Sequence, residues 1–442
     1  MLAVGACGGS KPSPEAAPAP APPVAPAVEV SGPVEGGAGQ ATAAVQDLAR
    51  RGYGESEYFF AGTATSYAGD HEPDGVWNAR EDQQADFRSR MIVREPKDPA
   101  RFSGTVVVEW LNTTIGSDTD PSWGYSAEEI MREGHAWVGV SAQAAGVETL
   151  AETDPVRYGS LDHPGDAYSY DIFTQAARAL THHEGAAPLA RRRPETLIAS
   201  GFSQSAVFLI SYIDGVHARA DTFAAFLVHG PAQPVAIRPD LEAPTLVFVS
   251  ETDLTMYGYA SGRVPDSEML RTWEVAGAAH ADAWLVNEAG GDYTASCPGL
   301  LNDGPHRQVL RAALHNLVEW ARTDEKPPVA ARIEMLTEPG DGQVPRIARD
   351  QHGNARGGIR TPYVDVPVAT LSGEPSAESP PLCRAFGTTA PFDAATLREL
   401  YPNHDSYVAA VTASTEAATD AGFILQFDAD EIIATALATD LP

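Results

Sequence analysis

The chain has 442 residues, enough for a large core, and its 60 acidic against 30 basic residues give a formal charge of −30. So acidic a surface repels phosphate backbones and anionic bilayers, which argues against nucleic acid as a partner and against polyanionic substrates. No stretch approaches the roughly twenty apolar residues that a bilayer span needs, and no internal repeat is visible.

The first residues resemble a targeting signal. Val4-Gly5-Ala6-Cys7, followed by Gly8-Gly9-Ser10, has the small-small-Cys pattern of a bacterial lipobox, in which Cys7 is acylated and becomes the mature first residue. No Lys or Arg precedes it and Met1 to Ala6 is too short for a signal core, so residues 1–7 read as a truncated or late-placed signal. The alternative is a short apolar terminus with an incidental cysteine. Pro and Ala dominate residues 11 to 30, a composition that stays extended, and residues 8–45 are expected to form a disordered linker. A stalk of this kind suits an exported lipoprotein that touches the membrane through its lipid anchor only.

Residues 46–442 are expected to form one domain. Tyr58 to Thr65 and Phe87 to Arg94 read as early strands, and Thr105 to Trp110, Ala136 to Ser141 and Leu197 to Gly201 as buried ones. Thr222 to Val228, Thr245 to Ser250 and Thr272 to Val275 continue the series, with helical stretches such as Tyr170 to Leu180 and Gln204 to Asp214 between them. Strands alternating with helices predict an α/β fold, a mostly parallel sheet covered on both faces. Val309, Leu310, Ala313, Leu314, Leu317 and Ala321 recur at helical spacing, and Pro327-Pro328 ends that helix. From about residue 329 the chain mixes Gly/Pro-rich loops, short strands and two late helical runs, an appended subdomain.

Leu197-Ile198-Ala199-Ser200-Gly201-Phe202-Ser203-Gln204-Ser205-Ala206 sets a serine between small residues where a strand turns into a helix. This is the layout of a nucleophile elbow, with Gly201 at the first small position and Ser205 at the second. A bland strand-turn-helix junction explains the motif taken alone. Downstream, Thr245 to Ser250 ends in Glu251 and Asp253, and His280 stands just past another strand. Serine, acid, histidine is the chain order of α/β-hydrolase triads. A serine hydroxyl needs an imidazole to take its proton, and the imidazole needs a carboxylate to fix its tautomer. Asp253 has the spacing expected of the acid, while Glu251 stays open as the alternative and is otherwise expected to face solvent or cap the turn.

An oxyanion hole needs backbone donors: Gln204, after the nucleophile, and Leu111 or Asn112 in the loop after the third strand. His229, directly after a strand, and Asp162-His163 in a loop before a helix are read as lining the substrate pocket. With Cys7 set aside, Cys297 and Cys383 remain, a natural candidate for one disulfide in an exported chain, with two buried thiols as the alternative. There is no CxxC or HExxH, so no metal or other cofactor is expected.

Val108-Glu109-Trp110-Leu111-Asn112, Trp137 to Gln143, Tyr158-Gly159-Ser160-Leu161, Gly201 to Ser205, Gly357 to Pro362 and the Cys383 region resemble the large, mostly bacterial family of α/β-hydrolase domain proteins. The resemblance implies an α/β-hydrolase fold from about residue 55 to the end, with Ser203 as nucleophile and His280 as base. It also implies that the C-terminal segment belongs to the same domain. The function expected is ester hydrolysis of a small molecule through an acyl-enzyme. An acyltransferase or peptidase with the same triad is the alternative, and from another class a surface binding lipoprotein on an inactive scaffold.

Overall fold

The computed structural model describes residues 27–39, 47–190, 192–288, 297–336, 346–374 and 379–441. Cys7 and most of the Pro/Ala-rich stretch lie outside them. Among the described residues ten strands form one sheet: β1 (Val28–Ser31), β2 (Tyr53–Ala68), β3 (Arg80–Pro96), β4 (Thr105–Trp110), β5 (Ala136–Val140), β6 (His183–Gly185), β7 (Thr196–Phe202), β8 (Ala225–His229), β9 (Thr245–Ser250) and β10 (Leu270–Val275). Their spatial order is β10-β9-β8-β7-β4-β5-β3-β2-β1-β6. The six from β10 to β5 run parallel; β3, β2 and β1 follow, each antiparallel to the strand before it, and β6 pairs parallel with β1.

The parallel strands are buried along their whole length, which is why they read as continuous apolar runs. Side chains alternate between faces, so Val106, Val108 and Trp110 join one core while Val107 and Leu111 join the other. Helices Ser169–Ala179 and Gln204–Gly215 cover the first face, and Pro121–Arg132 and His306–Thr323 the second.

The structure corrects three expectations. Val28–Ser31, inside the stretch expected as a disordered linker, is a strand paired with β2 and β6, with Val28 and Val30 buried. Here the alternation Val-Glu-Val-Ser outweighs the Pro/Ala composition around it. β2 and β3 extend well past Tyr58–Thr65 and Phe87–Arg94, because one end of their hairpin projects beyond the core and carries exposed polar residues such as Arg80 to Gln84. Three late helices stand in place of two: Ala394–Leu400, His404–Asp420 and Gln426–Ala438. The first of them buries no residue and so leaves no apolar stripe to read.

The C-terminal part packs on the core rather than beside it. Asp428 pairs with the buried Arg311 at 2.6 Å, and Phe423 meets Trp273 edge-on. β11 (Ala369–Ser372) and β12 (Thr388–Pro391) form a small antiparallel pair next to the loop that follows β10. Cys297 and Cys383 form a disulfide with Cα atoms 5.5 Å apart, tying that loop region to the C-terminal segment. Alkylating the unfolded, unreduced protein is expected to leave both unmodified, and two labelled thiols would refute the bond. Replacing both by serine is expected to lower unfolding stability by about 2–5 kcal/mol, read from the denaturant midpoint.

Candidate functional site

Ser203 sits where β7 passes into the helix Gln204–Gly215, with φ 60° and ψ −116°. That backbone is strained for a residue with a Cβ, and it lifts the side chain off the end of the strand. Gly201 leaves room for the turn: a Cβ there would lie 2.8 Å from the Ser205 carbonyl oxygen. Ser205, at the second small position, adds a clasp, since its hydroxyl accepts from the Phe202 N–H at 3.0 Å and donates to the Phe202 carbonyl at 2.9 Å.

The Ser203 Oγ lies 2.8 Å from His280 Nε2, and His280 Nδ1 lies 2.6 Å from Asp253 Oδ1. Asp253 belongs to the short helix Glu251–Thr255, where its Oδ2 accepts the Ser250 N–H at 2.7 Å in a capping box. A carboxylate can only accept, so Nδ1 of His280 carries the proton and Nε2 faces the serine as an acceptor. Phe202 stacks on one side of the imidazole and Tyr257 meets it edge-on, both with ring centres 4.6 Å away. Burial, and then the Asp253 charge, push the Tyr257 hydroxyl up to about 12, so it stays neutral. Ser203, His280 and Asp253 are all buried.

Glu251 is not available as the acid, nor does it face solvent. It is completely buried; its Oε1 accepts the Gly277 N–H at 2.7 Å and its Oε2 accepts Gly373 N–H and Arg349, each at 3.0 Å. Burial raises its carboxyl pKa and the Arg349 charge opposes that shift. The arginine is 98 residues further on, beyond any local reading of the strand end.

The loop after β4 also departs from expectation. The Leu111 N–H bonds to the Val140 carbonyl and the Asn112 N–H to the Thr119 carbonyl, so neither backbone amide is free to bind an oxyanion. Asn112 instead reaches the elbow with its side chain, Nδ2 donating to the Phe202 carbonyl at 2.8 Å. Among the described residues the amide of the next residue, Thr113, has no acceptor. Gln204, first residue of its helix, keeps its amide outside the helical ladder. Which backbone amides remain unbonded leaves no mark in a sequence, which is why the free amide of Thr113 was not legible.

His229 does not line an open rim. It is fully buried, against Phe202 at 4.5 Å, and its Nε2 lies 2.7 Å from Nε2 of His306. His306 Nδ1 donates to the Ala279 carbonyl at 2.8 Å, so its Nε2 accepts and His229 donates. Burial first, then the neighbouring imidazoles, hold His229 well below its ordinary pKa, and burial takes His306 to about 4. The pair is a neutral brace behind the site: the His229 carbonyl accepts the Ser203 N–H, and His306 holds the residue before His280. Asp162 is exposed and pairs through its backbone with Arg88, while His163 is held by the Ala142 carbonyl and the Gly165 N–H. Among the described residues neither bonds to the Ser203 group.

A cavity of about 550 Å³ lined by Trp77, Arg80, Gly215, Arg219 and Arg238 lies at the far end of the helix that begins after Ser203. Twelve residues separate the two ends, roughly 18 Å, so its volume does not mark the chemistry. Glu129, Glu133 and His315 converge at metal-like spacing, but Glu129 is already bonded to Arg132 and His315.

A family model described as "Alpha/beta hydrolase domain" matches residues 30–434. No curated protein matches the chain. Among solved structures, an α/β serine hydrolase without lid from Xanthomonas campestris is similar at 13% identity, covering 51% of this chain and 91% of that one, with a TM-score of 0.31. An α/β serine hydrolase homologue from Coxiella burnetii is similar at 12% identity, covering 52% and 92%, with a TM-score of 0.33. Est1E from Butyrivibrio proteoclasticus is similar at 8% identity, covering 58% and 99%, with a TM-score of 0.30.

Proposed function

The chain belongs to the alpha/beta hydrolase domain family, and on that footing we propose that it is a serine hydrolase of carboxylic esters working through an acyl-enzyme. The observation that carries this reading is the buried hydrogen-bonded series from Ser203 through His280 to Asp253, set on a strained elbow. Ser203 Oγ attacks the ester carbonyl carbon while its proton passes to His280 Nε2, and Asp253 stabilises the imidazolium that forms. The oxyanion is met by the amides of Gln204 and Thr113. His280 then protonates the departing alkoxide, and a water repeats the sequence on the acyl-enzyme to release the acid.

The alternative of an inactive binding scaffold is disfavoured because such a scaffold has no need of a strained serine hydrogen-bonded to an imidazole that is itself held by a carboxylate. A fluorophosphonate separates the two. Rapid stoichiometric labelling that maps to Ser203, with turnover of short p-nitrophenyl esters, is expected; an unlabelled folded protein would overturn the proposal. Export and anchoring through Cys7 belong to the same reading. The Cys297–Cys383 disulfide suits an oxidising compartment, and among the described residues no helix is long and apolar enough to cross a membrane. Replacing Cys7 by serine is expected to release the protein from the membrane fraction, and full retention there would refute lipidation.

A further inference from the structure

Between the two carboxylates after β9 stands Thr252, completely buried, and its hydroxyl is used twice. It accepts the backbone N–H of His280 at 3.1 Å and donates to the Gly373 carbonyl at 2.6 Å. The direction is forced, because an N–H only donates and a carbonyl only accepts. Gly373 follows β11 and lies 121 residues from Thr252 in sequence. Its position is tightly set. A Cβ there would lie 2.6 Å from the Glu251 Cβ and the Thr252 nitrogen and 2.7 Å from the Ala278 carbonyl oxygen. Arg349 locks the same segment, bonding Glu251 and Ser372 at 3.0 Å and Glu374 at 2.8 Å.

We propose that Thr252 is a positioning residue for His280, carrying the placement of the C-terminal segment 349–374 to the backbone of the base. The inference rests on the reading of Ser203 and His280 as nucleophile and base. The two ring bonds of His280 hold its nitrogens in line with Ser203 and Asp253, and His306 holds the carbonyl of the residue before it, but none of these fixes the backbone N–H of His280 itself. Thr252 supplies that anchor, and Glu251 fixes the same loop three residues earlier through Gly277. The short helix Glu251–Thr255 is capped by Ser250 and Asp253 and does not need the Thr252 hydroxyl for its own stability. A displacement of about 1 Å at such a site can cost about a hundredfold in rate, so the anchor acts on turnover.

The test uses the full chain with Thr252→Val, which keeps the shape and loses the hydroxyl, and Thr252→Ser, which keeps the hydroxyl. Active-site-titrated enzyme is assayed for kcat, KM and the rate of fluorophosphonate labelling. Thr252→Val is expected to lower kcat and the labelling rate by about ten- to a hundredfold with KM within about twofold, and Thr252→Ser to recover most of the loss. A purely structural role would lower stability yet leave kcat per titrated site unchanged. A folded valine variant losing less than tenfold, or a serine variant no faster than it, would overturn the proposal. If wild-type protein does not label at Ser203, the functional reading fails and this inference with it; labelled wild type beside an equally fast valine variant sinks this inference alone. Should the valine variant not fold, Gly373→Ala displaces the accepting carbonyl and is expected to give the same loss in kcat, and wild-type kcat there would overturn the anchor.

Discussion

Replacing Ser203 by alanine is expected to lower ester turnover by about a millionfold and to abolish fluorophosphonate labelling, with the fold and unfolding midpoint little changed. Alanine keeps the Cβ, so the backbone at φ 60° is neither relieved nor further strained. What disappears is the oxygen 2.8 Å from His280 Nε2. His280→Ala is expected to cost nearly as much, and the double variant little more than either alone, because the serine has no use for an imidazole it cannot pass its proton to, nor the imidazole for a serine that is absent. Steady-state assays of the three variants check this. A Ser203→Ala enzyme with a substantial fraction of wild-type turnover would place the nucleophile elsewhere, and additive losses in the double variant would mean that the two residues act separately.

What could be read from the sequence was whatever is encoded locally. β4 and β9 were legible to the residue, because a strand buried on both faces is an apolar run with turn chemistry at its ends. The elbow was legible because a tight turn restricts residue size at Gly201 and Ser205, and chain order then pointed to side chains that the fold brings within hydrogen-bond reach. What stayed hidden depends on partners far along the chain. Glu251 looks like a surface carboxylate until Arg349 and Gly373 close over it. His229 looks like a rim residue until His306, 77 residues later, meets it in the interior. The loop after β4 shows a third kind of blindness, since which amide is free depends on which neighbours are already bonded to Val140 and Thr119.

The contrast between the two carboxylates after β9 gives the second large effect. Asp253→Asn is expected to lower kcat by about 10⁴-fold with KM little changed, and the capping box explains why. The Ser250 N–H, now bonded to Oδ2, must face an oxygen, so the amide of an asparagine would turn its NH₂ toward His280. Nδ1 would then be the acceptor and Nε2 would carry the proton, leaving nothing to receive the proton of Ser203. Glu251→Gln is expected to act differently. A neutral amide in that buried place loses the charge facing Arg349 and cannot accept at both oxygens from Gly277, Gly373 and the guanidinium. Breaking such a pair costs about 3–5 kcal/mol, and the lower end applies because Arg349 keeps Glu374 as a partner. The loss should therefore appear in the denaturant midpoint, with kcat per titrated site staying within about tenfold of wild type because the Thr252 hydroxyl still holds the His280 backbone while Glu251 reaches the loop only three residues earlier. Titrating active sites before measuring kcat separates the two outcomes. If the glutamine variant is the one crippled per site while asparagine at 253 remains active, the base is oriented through Glu251 and the 2.6 Å contact between Asp253 and His280 is incidental to the chemistry.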